Sequence, residues 1–228
     1  MSKKSFKPGA MLSPLPVIMA SVGDINSENN IITIAWTGII NTNPPMTYIS
    51  VKPERYSYHM IKENMEFVIN LVDRKLAFAA DYCGVKSGSN IDKWKEMNLN
   101  REACEIVKCP QIKEAPVSIE CKVKKIEELP SHHMFMAEIV NINVDEKFID
   151  ENGRICLDEV GLVCYNHGEY FKIAKEGFGR FGFSVMKPKT RKRINKEKIN
   201  KKRKNKWSLF IKTSLRKKRR IFLDQNLI

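Results

Sequence analysis

A chain of 228 residues with 43% hydrophobic content can bury the core of one or two domains, and a formal net charge of +14 implies a polyanion partner only if the charge is spread over the fold. It is not spread: from Lys187 onward 18 Lys and Arg face two acids, which leaves 22 basic and 24 acidic side chains in residues 1–186. The body is near neutral, no apolar run approaches the ~20 residues that span a bilayer, and the six cysteines form no C-x-x-C pair of the kind that holds a structural metal.

Lys3, Lys4 and Lys7 precede a short apolar run, but Pro14 and Pro16 interrupt it and Asp24 closes it. That reads as a first strand, "PVIMASVGD", and not as a secretory leader, so a cytoplasmic protein with reduced thiols is expected. Apolar or alternating runs then predict strands at Val17–Val22, Ile31–Trp36, Met46–Val51, Phe67–Val72, Val117–Val123, Met134–Val144 and Gly161–Tyr165. The turn-rich stretches "GDINSENN", "NTNPP" and "DENGR" separate some of them. Helical spacing predicts helices over about 57–64, 74–82 and 91–97. Many short strands with few helices give a mainly β barrel or sandwich with peripheral helices. No G-x-G-x-x-G follows a strand and no P-loop occurs, which excludes the common dinucleotide and triphosphate fingerprints.

Four stretches carry candidate chemistry. In "YISVKPERYSYHMI" a strand stops at Pro53, and Arg55 and Ser57 follow at the mouth of a helix, with Ser57 expected as its N-cap. A helix mouth with an arginine beside it suits a phosphate, and it equally makes an ordinary strand-to-helix turn with a solvated Arg. In "NNIITIAWTGIINTNPPM" a strand ends in Trp36 ahead of a double proline. In "YCGVKSGSNIDKW" a polar turn at Ser87 and Gly88 leads to a helix carrying Asp92 and Lys93. In "LPSHHMFMAEIV" a histidine pair leads into a strand. Each has a plain structural reading as core aromatic, capping turn or exposed loop.

Taken in order, these pieces resemble the flavin reductase-like family, and its flavoredoxin branch above all. Further matching pieces are "EFVIN" and "APVSIEC", so that the likeness runs from about Pro14 to about Lys187. The resemblance implies a homodimer of six-stranded Greek-key split β-barrels that bind FMN. By position, Arg55 and Ser57 would hold the FMN phosphate with help from Ser87, Gly88 and Lys93. Thr33, Ala35 and Trp36 would line the flavin ring with Ser50 and Val51, and Asn70 would touch the ribityl chain. His132 would stand at the open flavin face, where a nicotinamide stacks. Pro130 stands where the family often has Gly, the doubled His132–His133 leaves that assignment open by one position, and Ser89 replaces a frequent Arg.

The resemblance implies an oxidoreductase taking electrons from NAD(P)H through FMN to flavin, ferric iron or another small-molecule or protein acceptor. The alternative is a flavoredoxin-type electron carrier with tightly bound FMN and no nicotinamide site. Residues 1–187 form the expected domain, without membrane insertion. Residues 188–228 form a basic, low-complexity tail, expected to be disordered. That tail either attracts polyanions or, being rich in Lys, Asn and Ile from A/T-rich codons, is a frameshifted read of the gene's 3′ end.

Overall fold

A computed structural model describes residues 1–179 and 181–194. The strands are β1 (Leu15–Pro16), β2 (Ile18–Gly23), β3 (Asn29–Ile34), β4 (Thr37–Thr42), β5 (Pro45–Val51), β6 (Glu66–Leu71), β7 (Arg101–Glu102), β8 (Gln111–Ile112), β9 (Val117–Glu128), β10 (His133–Val144), β11 (Val163–Asn166) and β12 (Glu169–Lys172). The helices are α1 (Ser57–Asn64), α2 (Ala77–Val85), α3 (Lys93–Glu96) and α4 (Leu157–Val160). All of these lie in a compact unit of Met1–Lys175, which ends short of the compositional change at Lys187. A second unit begins at Glu176 and holds a short 3-10 turn at Phe183–Val185 among its described residues. Of the tail expected to be disordered over 188–228, residues 188–194 are helical, against that expectation, and the rest lie outside the described residues.

The main sheet is antiparallel and runs β3-β2-β6-β9-β10-β5-β4. Although β3 and β5 stand near opposite ends of that order, Ile32 and Ile34 share one buried cluster with Ile49 and Val51. The Ser50 N–H also donates to the Trp36 carbonyl at 3.0 Å. The sheet therefore curls round its own apolar face into a barrel.

Strand β2 shows why this happens. Its side chains alternate faces: Ile18, Ala20 and Val22 enter the barrel, while Met19, with Val17 just before the strand, joins a second core under α2 and Trp94. A strand buried on both faces is apolar along nearly its whole length, with Ser21 the exception in β2, which is why "VIMASV" stands out in the sequence.

The sheet has seven strands, not the six expected. The extra strand is β4, which makes a hairpin with β5. Beyond Thr37 its residues are half or fully exposed, so no inward-facing alternation marks it in the sequence. Helix α2 begins at Ala77 because the Asp73 carboxylate accepts from the Lys75 and Leu76 N–H groups and holds that segment in a turn. Helix α3 is shorter than expected and is capped by Asp92, which accepts from Trp94 N and Lys95 N.

Candidate functional site

Two cavities of about 380 Å³ each lie on the β3, α1 and α2 side of the barrel, and Ile32, Lys52 and Arg55 line both. Their size lies in the ordinary range for small-molecule sites. The first lobe is polar. Its lining includes Arg55, Ser57, Ser87, Gly88 and Lys93, five residues the sequence singles out.

Lys93 is buried, and its ammonium donates to the carbonyls of Ile31 and Cys83, each at 2.8 Å. That leaves one of its three N–H donors. Burial, with the nearby Arg55 charge, pulls its pKa down to about 8, against a smaller upward pull from Cys83. Burial pushes the Cys83 thiol up to about 11, so it is neutral at pH 7. Arg55 donates from Nη2 to the Gly84 carbonyl at 3.2 Å, which anchors the guanidinium and leaves further donors over the lobe.

Ser57 is not the N-cap. Tyr56 holds that position in helical geometry with no side-chain cap bond, and Ser57 is the first helical residue. Its buried hydroxyl accepts from Asn30 Nδ2 at 2.9 Å. The chain thus arrives already helical, and the hydroxyl is fixed by β3 and not by its own helix. Asn30 also packs against Gly88, where a Cβ would sit 2.5 Å from its amide. Only glycine lets the 87–90 turn approach this closely.

The second lobe is lined by Thr33, Ala35, Trp36, Ser50 and Val51 from the end of β3 and from β5. Trp36 and His132 meet at its edge with ring centroids 4.3 Å apart and planes tilted by 41°. Burial, with Lys52 and Arg55 nearby, lowers the His132 pKa, against the smaller opposing effect of Glu54. The imidazole is therefore mostly neutral at pH 7 and still donates one hydrogen bond.

His133 turns the other way and its Nδ1 pairs with the Tyr58 hydroxyl at 2.7 Å, while His132 lines the lobe.

Asn70 is not brought to either lobe. It is fully buried, its Nδ2 donates to the Met19 carbonyl and Ser21 Oγ, and its Oδ1 accepts from Ile112 N and Ser118 Oγ. With its hydrogen-bonding capacity spent inside the fold, it staples β2, β6, β8 and β9 together.

Sequence reasoning missed Lys52, Asn30 and Gly84, and with them Asp81, Tyr165 and Tyr170 on the second lobe. Among the described residues no cluster of His, Cys, Asp and Glu is suited to a metal ion, and no helix is long and apolar enough to cross a membrane.

Residues 10–174 match the flavin reductase like domain. The fold is similar to the flavoredoxin of Desulfovibrio vulgaris (Miyazaki F), with 29% identity, a TM-score of 0.75, and coverage of 81% of this chain and 100% of that one. It is also similar to the flavoredoxin from Methanosarcina acetivorans, with 24% identity, a TM-score of 0.73, and coverage of 82% and 100%. A protein of Aquifex aeolicus (strain VF5), named only as uncharacterized, is 25% identical over 166 residues, which are 71% of this chain and 85% of that one. With the barrel, the joined lobes and the family match agreeing over the same stretch, the chain belongs to the flavin reductase like domain family.

Proposed function

We propose that the joined lobes bind FMN and that the protein is an NAD(P)H-dependent oxidoreductase passing electrons to a small acceptor. One observation carries this reading: a polar lobe lined by four cations (Lys52, Arg55, Lys86 and Lys93), with Glu54 beside them, and by two serine hydroxyls runs, through Arg55 and Lys52, into a lobe lined by strand edges and an aromatic pair. A phosphomonoester on a planar heteroaromatic body matches that division. Charge-assisted donors suit the phosphate, and the Thr33–Trp36 and Ser50–Val51 segments suit the ring. When bound, FMN supplies a redox centre able to accept a hydride and release electrons singly or in pairs.

In this reading Arg55, Ser57, Ser87, Gly88 and Lys93 hold the phosphate. His132 and Trp36 flank the ring, where a neutral imidazole offers a hydrogen bond to a nicotinamide amide or to the flavin edge. We further propose a cytoplasmic homodimer in which a second copy covers the exposed Trp36, Ile39 and Ile40.

The test is direct. The purified protein is expected to be yellow, to release FMN on denaturation, and to lose its flavin absorbance on anaerobic mixing with NADH or NADPH. FMN bound but unreduced by either nucleotide moves the function to an electron carrier, a reading favoured by the likeness to the Desulfovibrio flavoredoxin.

A further inference from the structure

The ring lobe has a second aromatic pair that no cofactor contact above uses. Tyr165 and Tyr170 are cross-strand partners in the β11–β12 hairpin, their centroids are 5.6 Å apart at 67°, and both line the lobe. The hairpin turns at His167 and Gly168, whose φ values of 49° and 90° are those of a tight two-residue turn. Gly168 also lines the lobe, so the tip as well as the strands reaches it. On the far side from solvent the two rings pack against the core under α2, which fixes their position.

Asp81 of α2 completes this wall. Burial and the Asp81 carboxylate beside the Tyr170 hydroxyl push that tyrosine up to about 12, so it stays protonated. The wall therefore offers two tyrosine rings with their hydroxyls and one carboxylate. The cations that line the lobe, Lys52 and Arg55, lie where it joins the phosphate lobe.

We propose that the Tyr165–Tyr170–Asp81 wall is the docking subsite for the second substrate and selects a planar, uncharged aromatic molecule over its anionic counterpart. Stacking on tyrosine rewards any flat π-system. The Asp81 carboxylate, exposed at the cavity wall, disfavours an anion placed against it. The inference rests on FMN occupying the lobe, because only then is the hairpin the remaining wall for an incoming molecule.

The test is calorimetric and needs no turnover. The FMN-loaded, oxidised protein is titrated with 2-methyl-1,4-naphthoquinone and with 1,4-naphthoquinone-2-sulfonate. The neutral quinone is expected to bind at least about fivefold more tightly than the sulfonate. Tyr170→Leu should weaken the neutral quinone about tenfold, as expected for a lost stacking partner, with the FMN Kd unchanged. Tyr170→Phe, which keeps the ring, should retain quinone affinity within about twofold. Asp81→Asn should narrow the preference for the neutral probe. Equal affinity for the two probes in wild type, or a Tyr170→Leu variant that keeps FMN and quinone alike, overturns the subsite while leaving the FMN reading intact. Failure of wild type to bind FMN overturns both.

Discussion

Lys93 makes opposite demands on pH for folding and for anion binding. Lys93 has a folded pKa of about 8, below its ordinary 10.5, because burial disfavours its charge. The unfolded chain binds this proton more tightly, so Lys93 costs stability at neutral pH, and stability rises as pH climbs from about 8 toward 10.5. Anion binding runs the other way, since a phosphate prefers the charged ammonium. FMN affinity is therefore expected to fall above about pH 8, and that pH dependence should vanish in Lys93→Met. A flat affinity between pH 7 and 9.5 in wild type would sink the contact. Arg55→Ala should weaken FMN by roughly 1.5–3 kcal/mol, the usual size for a hydrogen bond to a charged group. His132→Ala should slow anaerobic reduction by NAD(P)H about tenfold to a hundredfold with little change in FMN affinity. His133→Ala should leave reduction unaffected, because that ring points to Tyr58. Equal effects at the two histidines, read by stopped flow, would contradict the assignment. That Arg55, Lys93 and His132 would share one pair of lobes was legible because residue type and order match a family pattern. Asn70 shows where that reading fails, since an asparagine that binds a ligand and one that staples strands look alike in sequence.

Elements are held by polar anchors as well as by apolar faces, and the anchors were invisible before the fold was known. Glu120 of β9 is fully buried. Its Oε1 accepts from Glu105 N and from the amides of Asn141 and Asn143, and its Oε2 from the N–H groups of Ile106 and Val107. Burial raises its pKa, but the hydrogen bonds from Asn141, Ile106, Asn143 and Glu105 together outweigh burial and hold it below the ordinary value. A depressed carboxylate stabilises the fold above its unfolded pKa, and that contribution is lost as pH falls through the folded value. Glu120→Gln keeps one acceptor but turns an amide donor toward two backbone donors. It should cost about 2–4 kcal/mol and lower Tm by roughly 5–15 °C at pH 7, with the loss shrinking in acid. An unchanged Tm would show that the 104–107 loop does not depend on this carboxylate. The strands themselves were legible wherever one face enters the barrel, as in β2, β3 and β5. Strands β4 and β12 were not, because their side chains face mostly outward and leave no period-two signal. If a second copy covers Ile39 and Ile40, Ile39→Lys should shift the protein from dimer to monomer in sedimentation.

At the scale of the whole molecule, charge and fold are separate properties of separate stretches. The family match ends at residue 174 and the compact unit at Lys175, whereas the 18 basic residues begin at Lys187. The change of charge at Lys187 was legible, because a run of like charge with few apolar residues cannot add to a core, whereas the earlier end of the compact unit at Lys175 was not. Among the described residues both large buried clusters draw their residues from positions 17–163. A chain ended after Ile194 is therefore expected to fold and to bind FMN with unchanged affinity. Binding to polyanions should part company with FMN binding. The full chain should bind duplex DNA without sequence preference and with a steep fall in affinity as salt rises from about 50 to 200 mM, the signature of counterion release. The shortened chain, which keeps five of those 18 basic residues and carries 27 basic against 24 acidic side chains, should bind DNA at least about a hundredfold more weakly at the lower salt. Fluorescence anisotropy with a labelled duplex and flavin titration on the same two proteins make the comparison. Loss of FMN on shortening would mean that the tail supports the site, and undiminished DNA binding would place the polyanion surface on the barrel instead.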